Sequence, residues 1–347
     1  MKSARDRDHS EQEEIEKAQE AEIWLVFEDL KAIDVIKREQ IPEGFKAHNT
    51  HLFTVQKFLA NGEHDKYKSR LVAHGNEQDA TIYSDRSSPT ASIHSITTCL
   101  AIAAYNPDCI VGKLDVKGAF IQTEMSGTPV YVQFRGKLRE MILRVKPELA
   151  TYVGDDGILY GKLLKALYGC VQASRLWYEK LKEVLIKLGY EQSETDPCIF
   201  RRVVEDRVFL LIVYVDDILI LATVDEIRRI EEFFTEEFRW ITLEIGNSHS
   251  YLGMQLNFGS GFVTIDMTFY VDKVLSEYQD VISTMIPARK DLFRVNKASE
   301  LLKPGAARKF HTTVARLLYL SRRGRPDIIT AVGFLCTRVK SPTVEFE

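Results

Sequence analysis

The chain has 347 residues, is 45% hydrophobic and 28% charged, and carries a net charge of −4, the profile of a soluble globular protein of two or three structural units. No apolar run approaches the ~20 residues a membrane helix needs, and the opening MKSARDRDHSEQEEIEKAQE is too polar for a secretory signal, so neither a membrane partner nor secretion is expected. The five cysteines (Cys99, Cys109, Cys170, Cys198, Cys336) are scattered without a C-x-x-C pair, which predicts reduced thiols in an intracellular protein.

In chain order, residues 10–40 read as helical, with Ile15, Ala18, Ala21, Ile23, Trp24, Leu25 and Phe27 recurring between acidic residues. Pro42 and Gly44 punctuate. THLFTVQKFLANGEHDKYKSRLVAHG predicts two strands around an Asn61–Gly62 turn. On the second strand Lys66, Lys68 and Arg70 share one face of the pleat; an ordinary solvated strand face fits the same pattern. His48 and His51 have no second ligand pair nearby and support no zinc site. SPTASIHSITTCLAIAAYN reads as a capped amphipathic helix, and CIVGKLDVKGAF as a strand with Asp115 near its end. ASRLWYEKLKEVLIKLGY is the clearest helix, with Trp177, Leu181, Val184, Leu185 and Leu188 on one face and Gly189 to end it. EIRRIEEFFTEEF is another, with Asp225 as its N-cap candidate. Two more helices, around 306–320 and 327–339, flank RRGRPD.

Charge is uneven. Residues 1–40 hold 7 Lys and Arg against 12 Asp and Glu, whereas residues 286–347 hold 13 against 5. A near-neutral chain can still present a basic tract suited to phosphates; a solvated basic helix pair is the plainer reading.

LLIVYVDDILILA places Asp216 and Asp217 inside an apolar run, although aspartate is rarely buried unless paired or bound to a metal. Split at the aspartates, Val208–Val215 and Ile218–Ala222 are two strands, and both carboxylates fit the tight turn between them. A plain Asp–Asp turn explains this stretch alone. Asp115 lies on another apolar strand, and if the strands are neighbours three carboxylates converge. They would repel strongly, and hard divalent cations relieve such repulsion while serving phosphoryl transfer.

The ordered set YKSRLVAHG, KLDVKGAF, LLKALYGCVQASRLWYEKL, SETDPCIF, YVDDILILA, YLGMQL and LLYLSRRGRPDIITAV, spanning about Phe53 to Val339, resembles the copia-type retrotransposon reverse transcriptases. The resemblance implies an α+β right-hand polymerase with an antiparallel palm sheet packed on helices. Its expected division is an N-terminal helical extension over 1–44, fingers over 45–88 and 121–166, palm over 89–120 and 167–256, and thumb or start of the connection over 257–347, the chain ending as a truncated fragment would. It implies RNA-directed DNA polymerase activity with Asp115, Asp216 and Asp217 as catalytic metal ligands for two Mg²⁺, Mn²⁺ being the substitute. Lys68 and Arg70 match the fingers cations that grip dNTP, and Phe120 the steric gate below the sugar. Tyr168, Gly169 and Gln172 match the loop at the nucleotide. Tyr214, Tyr251, Leu252 and Gly253 match positions at the template and primer. The implied partners are an RNA or DNA template with primer, dNTP, and the integrase and RNase H parts of a polyprotein, in the cytoplasm or a retroelement particle.

Three departures stand out, one being that residues 225–250 hold no clear lysine for a general acid. Ser174 replaces the family's usual Pro at a helix start, where Pro is tolerated without being required, and AHNTHLFTVQKF leaves the fingers hairpin's register open. Two other readings remain beside the polymerase. One is an inactive retroelement fragment that keeps nucleic-acid binding. The other is a different two-metal phosphoryl enzyme such as a nuclease, against which Phe120, Lys68 and Arg70 count.

Overall fold

A computed structural model describes residues 9–58, 64–79, 87–278, 283–296 and 298–346. In chain order its elements are α1 (His9–Trp24), β1 (Ile33–Ile36), β2 (Ala47–Phe58), β3 (His64–Ala73), α2 (Ile93–Tyr105), β4 (Ile110–Val116), β5 (Tyr131–Phe134), α3 (Gly136–Val145), β6 (Leu159–Leu163), α4 (Ala173–Lys187) and β7 (Glu191–Gln192). There follow β8 (Ile199–Val204), β9 (Arg207–Tyr214), β10 (Asp217–Ala222), α5 (Val224–Glu237), β11 (Ile241–Gly246), β12 (Ser248–Tyr251), β13 (Met254–Gly259), β14 (Phe262–Asp266), α6 (Thr268–Leu275), α7 (Pro304–Ser321) and α8 (Ile329–Cys336). The class is α+β, as expected. No helix of the described residues is long and apolar enough to cross a membrane.

A six-stranded antiparallel sheet, ordered β11-β4-β10-β9-β8-β7, carries the carboxylates. Its central strands β9 and β10 are nearly continuous apolar runs, buried along most of their length. Ile96 and Leu100 of α2, Trp177, Leu181 and Leu185 of α4, and Ile227, Ile230 and Phe234 of α5 join Leu114, Leu211, Ile212 and Ile220 in one core. The Ser92 hydroxyl accepts from the Ser95 N–H at 3.0 Å and caps α2. Asp196 takes the Ser92 N–H at 2.9 Å, tying that cap to the loop before β8. On α5 the cap is Thr223, whose side chain accepts from the Glu226 N–H. Asp225, expected there, lies one residue inside the helix instead, because the chain becomes helical at Val224.

The second sheet has the order β1-β6-β5-β2-β3. β2 and β3 pair antiparallel with Phe53 opposite Arg70 and Val55 opposite Lys68, the register that the sequence left open. The expected Asn61–Gly62 turn lies outside the described residues. The helical reading of residues 10–40 needs correction: α1 runs on through a π turn to Asp29, but Ile33–Ile36 is a strand paired with β6. Ile33 is buried with Val35 packed against the same core, Ile36 is buried beside Tyr131 and Tyr160, and this β-branched run is used at a sheet edge. A three-stranded sheet, β12-β13-β14, extends the first core, and α7 closes onto it through Leu320.

A candidate polymerase active site

β4 and β10 are neighbours, and their register sets Asp115 directly opposite Asp217. Side chains paired across antiparallel strands project from one face. The β9–β10 connection is a two-residue turn with Tyr214 opposite Asp217. Its central residues are therefore Val215 and Asp216, which corrects the expectation that both aspartates occupy the turn: Asp217 already begins β10. Val215 has φ 59°, a left-handed conformation that is costly for a β-branched residue. The Trp177 indole N–H donates to the Val215 carbonyl at 2.7 Å and holds the turn to α4.

Electrostatics ties the three acids together. Burial, then repulsion from Asp216, raises the Asp115 carboxyl, opposed by Lys68, Lys113 and Lys117. Burial raises Asp217 also, with Asp216 and Asp115 adding to it against Lys113. Lys113 Nζ stands 3.7 Å from Asp217 Oδ1. The sequence reading passed over Lys113, although its place two residues before Asp115 on a period-2 strand puts it on the acids' face. Among the described residues no three His, Cys, Asp or Glu side chains form a ready-made cation cage. The donor set nevertheless suits a hard divalent cation, being carboxylate oxygens that burial and mutual repulsion leave short of positive charge.

β3 brings its cations to the same place. Burial and Arg70 push the Lys68 ammonium below the usual lysine range, while Asp115 and Asp216 pull it up. The Arg70 guanidinium lies 4.7 Å from the Tyr168 ring centre. Tyr168 in turn meets Phe120 edge to face at 5.0 Å. Phe120 is half-buried and touches both major cores. One stack thus runs Arg70–Tyr168–Phe120 from the second sheet to the helical turn that follows β4.

Other expected site residues are drawn inward. Gly169 has φ 87°, and a Cβ there would collide with the Ala73 carbonyl oxygen and Val72. The glycine is thus required by a close approach of two backbone segments, stitched by the Ala73 N–H to the Tyr168 carbonyl at 2.8 Å. Gln172 is only 5% exposed, and its amide meets Gln78 and the Met125 sulfur. Tyr251 is 1% exposed, inside the core of the six-stranded sheet, its hydroxyl without a hydrogen-bond partner and its pKa raised by burial and by Asp217. Gln172 and Tyr251 are both buried and offer almost no face to solvent. Leu252 and Gly253, at φ 49° and 73°, make the two-residue turn of β12–β13, the pattern of a type I′ turn. The Leu252 carbonyl accepts from the Tyr319 hydroxyl at 2.6 Å, which docks α7 on that turn. Tyr214 is half-buried beside the carboxylates.

Residues 34–289 match the family model described as reverse transcriptase (RNA-dependent DNA polymerase). The chain belongs to that family. The fold of this reverse transcriptase domain is accordingly of the right-hand polymerase class, with its antiparallel sheet packed on helices. It is 28% identical over 349 residues to the retrovirus-related Pol polyprotein from transposon TNT 1-94 of Nicotiana tabacum, covering 97% of this chain and 25% of that relative. It is 27% identical over 304 residues to the Pol polyprotein from transposon RE1 of Arabidopsis thaliana, covering 85% and 19%. The reverse transcriptase domain therefore spans a quarter or less of these relatives. Among solved structures it is similar to telomerase from Candida albicans in complex with a fragment of telomeric RNA, at TM-score 0.41 and 10% identity, covering 92% of this chain and 66% of that one. Reverse transcriptases generally use divalent metal ions.

Proposed function

We propose that this chain is the polymerase portion of a copia-type Pol polyprotein and adds deoxynucleotides to a primer 3′-hydroxyl on an RNA or DNA template. The observation that carries the reading is the Asp115–Asp217 cross-strand pair with Asp216 on the adjoining turn and Lys68 in the field of Asp115 and Asp216. The aspartates would hold divalent cations, read here as two Mg²⁺ with Mn²⁺ as a substitute. Bound there, the cations supply charge neutralisation and a more acidic attacking hydroxyl.

The chain's own side chains do the rest. Lys68 and Arg70 take the triphosphate, for which cations on one strand face are suited. Phe120 lies below the sugar, and Tyr168, backed by Gly169 and Gln172, shapes the nucleotide's floor. Tyr214 and the Leu252–Gly253 turn, seated on Tyr251, hold the primer end. In this reading 45–88 and 121–166 act as fingers, 89–120 and 167–256 as palm, and 257–347 as thumb. The remaining partners are dNTP and the integrase and RNase H parts of the polyprotein, with the cytoplasm or a retroelement particle as the setting.

Primer extension on an RNA template with Mg²⁺ tests this. Extension by the parent and none by Asp216→Asn is the expected result. Template degradation would instead mean a nuclease. No turnover with retained template binding would mean an inactive fragment.

A further inference from the structure

α1 lies outside the stretch 34–289 that matches the family model, yet it is built into the strand that carries the two cations. β3 is an edge strand: β2 pairs along one side, and among the described residues only an isolated bridge from Val72 to Tyr168 forms along the other. An open edge leaves alternate N–H groups without a ladder partner. Two are taken up from outside the sheet. The Ala73 N–H donates to the Tyr168 carbonyl at 2.8 Å, and the Leu71 N–H donates to Glu22 Oε1 at 2.9 Å. Glu22 is buried in α1. Burial raises its carboxyl, while the Leu71 N–H and the charges of Arg70 and Lys68 favour its ionised form. α1 grips the hairpin at two more points, Tyr67 Oη to Glu11 at 2.8 Å and Gln19 to Thr54 at 3.2 Å.

We propose that Glu22 is a positioning residue for nucleotide binding, fixing β3 from behind and thereby the placement of Arg70 and Lys68 toward Asp115 and Asp216. The inference rests on the polymerase reading and extends the working polymerase unit N-terminally to α1. A carboxylate suits both tasks. It satisfies a buried backbone donor, and it offsets two cations that repel each other across one strand face. A neutral acceptor would do only the first.

Glu22→Gln keeps an acceptor of the same shape, and Glu22→Ala removes it. Both are compared with the full parent chain for dNTP KM, kcat, template–primer affinity and hydrogen exchange at the Leu71 amide. The expected result for Glu22→Ala is a roughly tenfold higher dNTP KM, with kcat and template–primer affinity within about twofold and Leu71 exchanging faster. Glu22→Gln should keep Leu71 protected and raise the dNTP KM by about threefold. A folded Glu22→Ala chain with the parent's dNTP KM overturns the proposal. So does a parallel loss of kcat and template–primer affinity at unchanged KM, the mark of a merely structural role. Should Glu22→Ala not fold, Glu22→Gln decides, and a parent-like KM overturns the proposal. A parent chain that extends no primer overturns the polymerase reading itself, before any comparison of variants.

Discussion

Asp115 and Asp217 face one another across β4 and β10 with Asp216 on the turn beside them, an arrangement that works against folding. Burial and like charge disfavour the ionised forms of Asp115 and Asp217, so a site of this kind stores strain that a cation would relieve. Asp115→Asn and Asp216→Asn should reduce primer extension at least ~10²-fold, about 2.7 kcal/mol of barrier. In EDTA, Asp115→Asn and Asp217→Asn should unfold at a higher temperature than the parent. Thermal melts beside extension assays check both; a lowered melting temperature would mean the carboxylates are structural. Phe120 raises a similar choice between site and core. Its ring meets Tyr168 at 5.0 Å and reaches both cores. As a gate, Phe120→Val should raise ribonucleotide use relative to deoxynucleotide by about ten- to hundredfold, the worth of ~1–3 kcal/mol of steric overlap. A fixed dNTP/rNTP ratio of kcat/KM with reduced stability would leave Phe120 as a packing residue.

Elements transmit their geometry to the site through single bonds. The turn bearing Asp216 is bound to α4 by the Trp177 N–H and holds Val215 at positive φ. Trp177→Phe removes that donor and should cost ~1–3 kcal/mol of stability, while lowering kcat more than template–primer affinity. Equal losses in both would show that the bond does not position the turn. α5 is fixed to β8 and to the end of α4 by Glu226, which accepts from Arg202 at 2.6 Å, Arg229 at 2.9 Å and the Tyr190 hydroxyl at 2.9 Å. Burial alone would raise this carboxyl, but the bonds from Arg229, Arg202 and Tyr190 outweigh burial and hold it below the usual range. A depressed acid stabilises the fold above its unfolded pKa of ~4.3, and that stability is lost as pH falls through the lower folded value. Glu226→Gln should therefore be less stable than the parent at pH 7, with the gap closing in acid. Denaturant melts from pH 7 to 3 provide the measurement, and a gap independent of pH would contradict the charged cluster.

Across the whole molecule, α7 brings a basic surface to the core of the six-stranded sheet. Leu320 is buried in that core and Tyr319 bonds Leu252, while Arg308, Lys309 and Arg322 are exposed. Deleting residues 286–347 would thus remove core packing as well as charge. Single charge removals are the cleaner probe: Arg308→Gln, Lys309→Gln and Arg322→Gln should each flatten the salt dependence of template–primer affinity by about one log unit per log unit of salt for each lost phosphate contact. Unchanged slopes would make the tract a solvated surface.

Local pattern was enough for the elements that carry the chemistry. Apolar runs broken by carboxylates marked β4, β9 and β10, and an apolar stripe at helical spacing marked α4 and α5, because burial dictates where apolar residues fall along each element. The order of the motifs then implied which aspartates belong together, and β4 beside β10 agrees. Boundaries were less legible where one local pattern has two uses. Ile33–Ile36 continues a helical stripe but pairs with β6, and Asp225 resembles a cap two residues past Thr223. What only the tertiary structure decided is which groups meet across the chain: Lys113 at Asp217, Tyr251 turned into the core, Gly169 pressed on Ala73, and Glu22 on the open edge of β3. Sequence periodicity fixes the face a residue occupies. The partner on that face depends on strand order, register and edge N–H groups satisfied from distant segments, which no local spacing records.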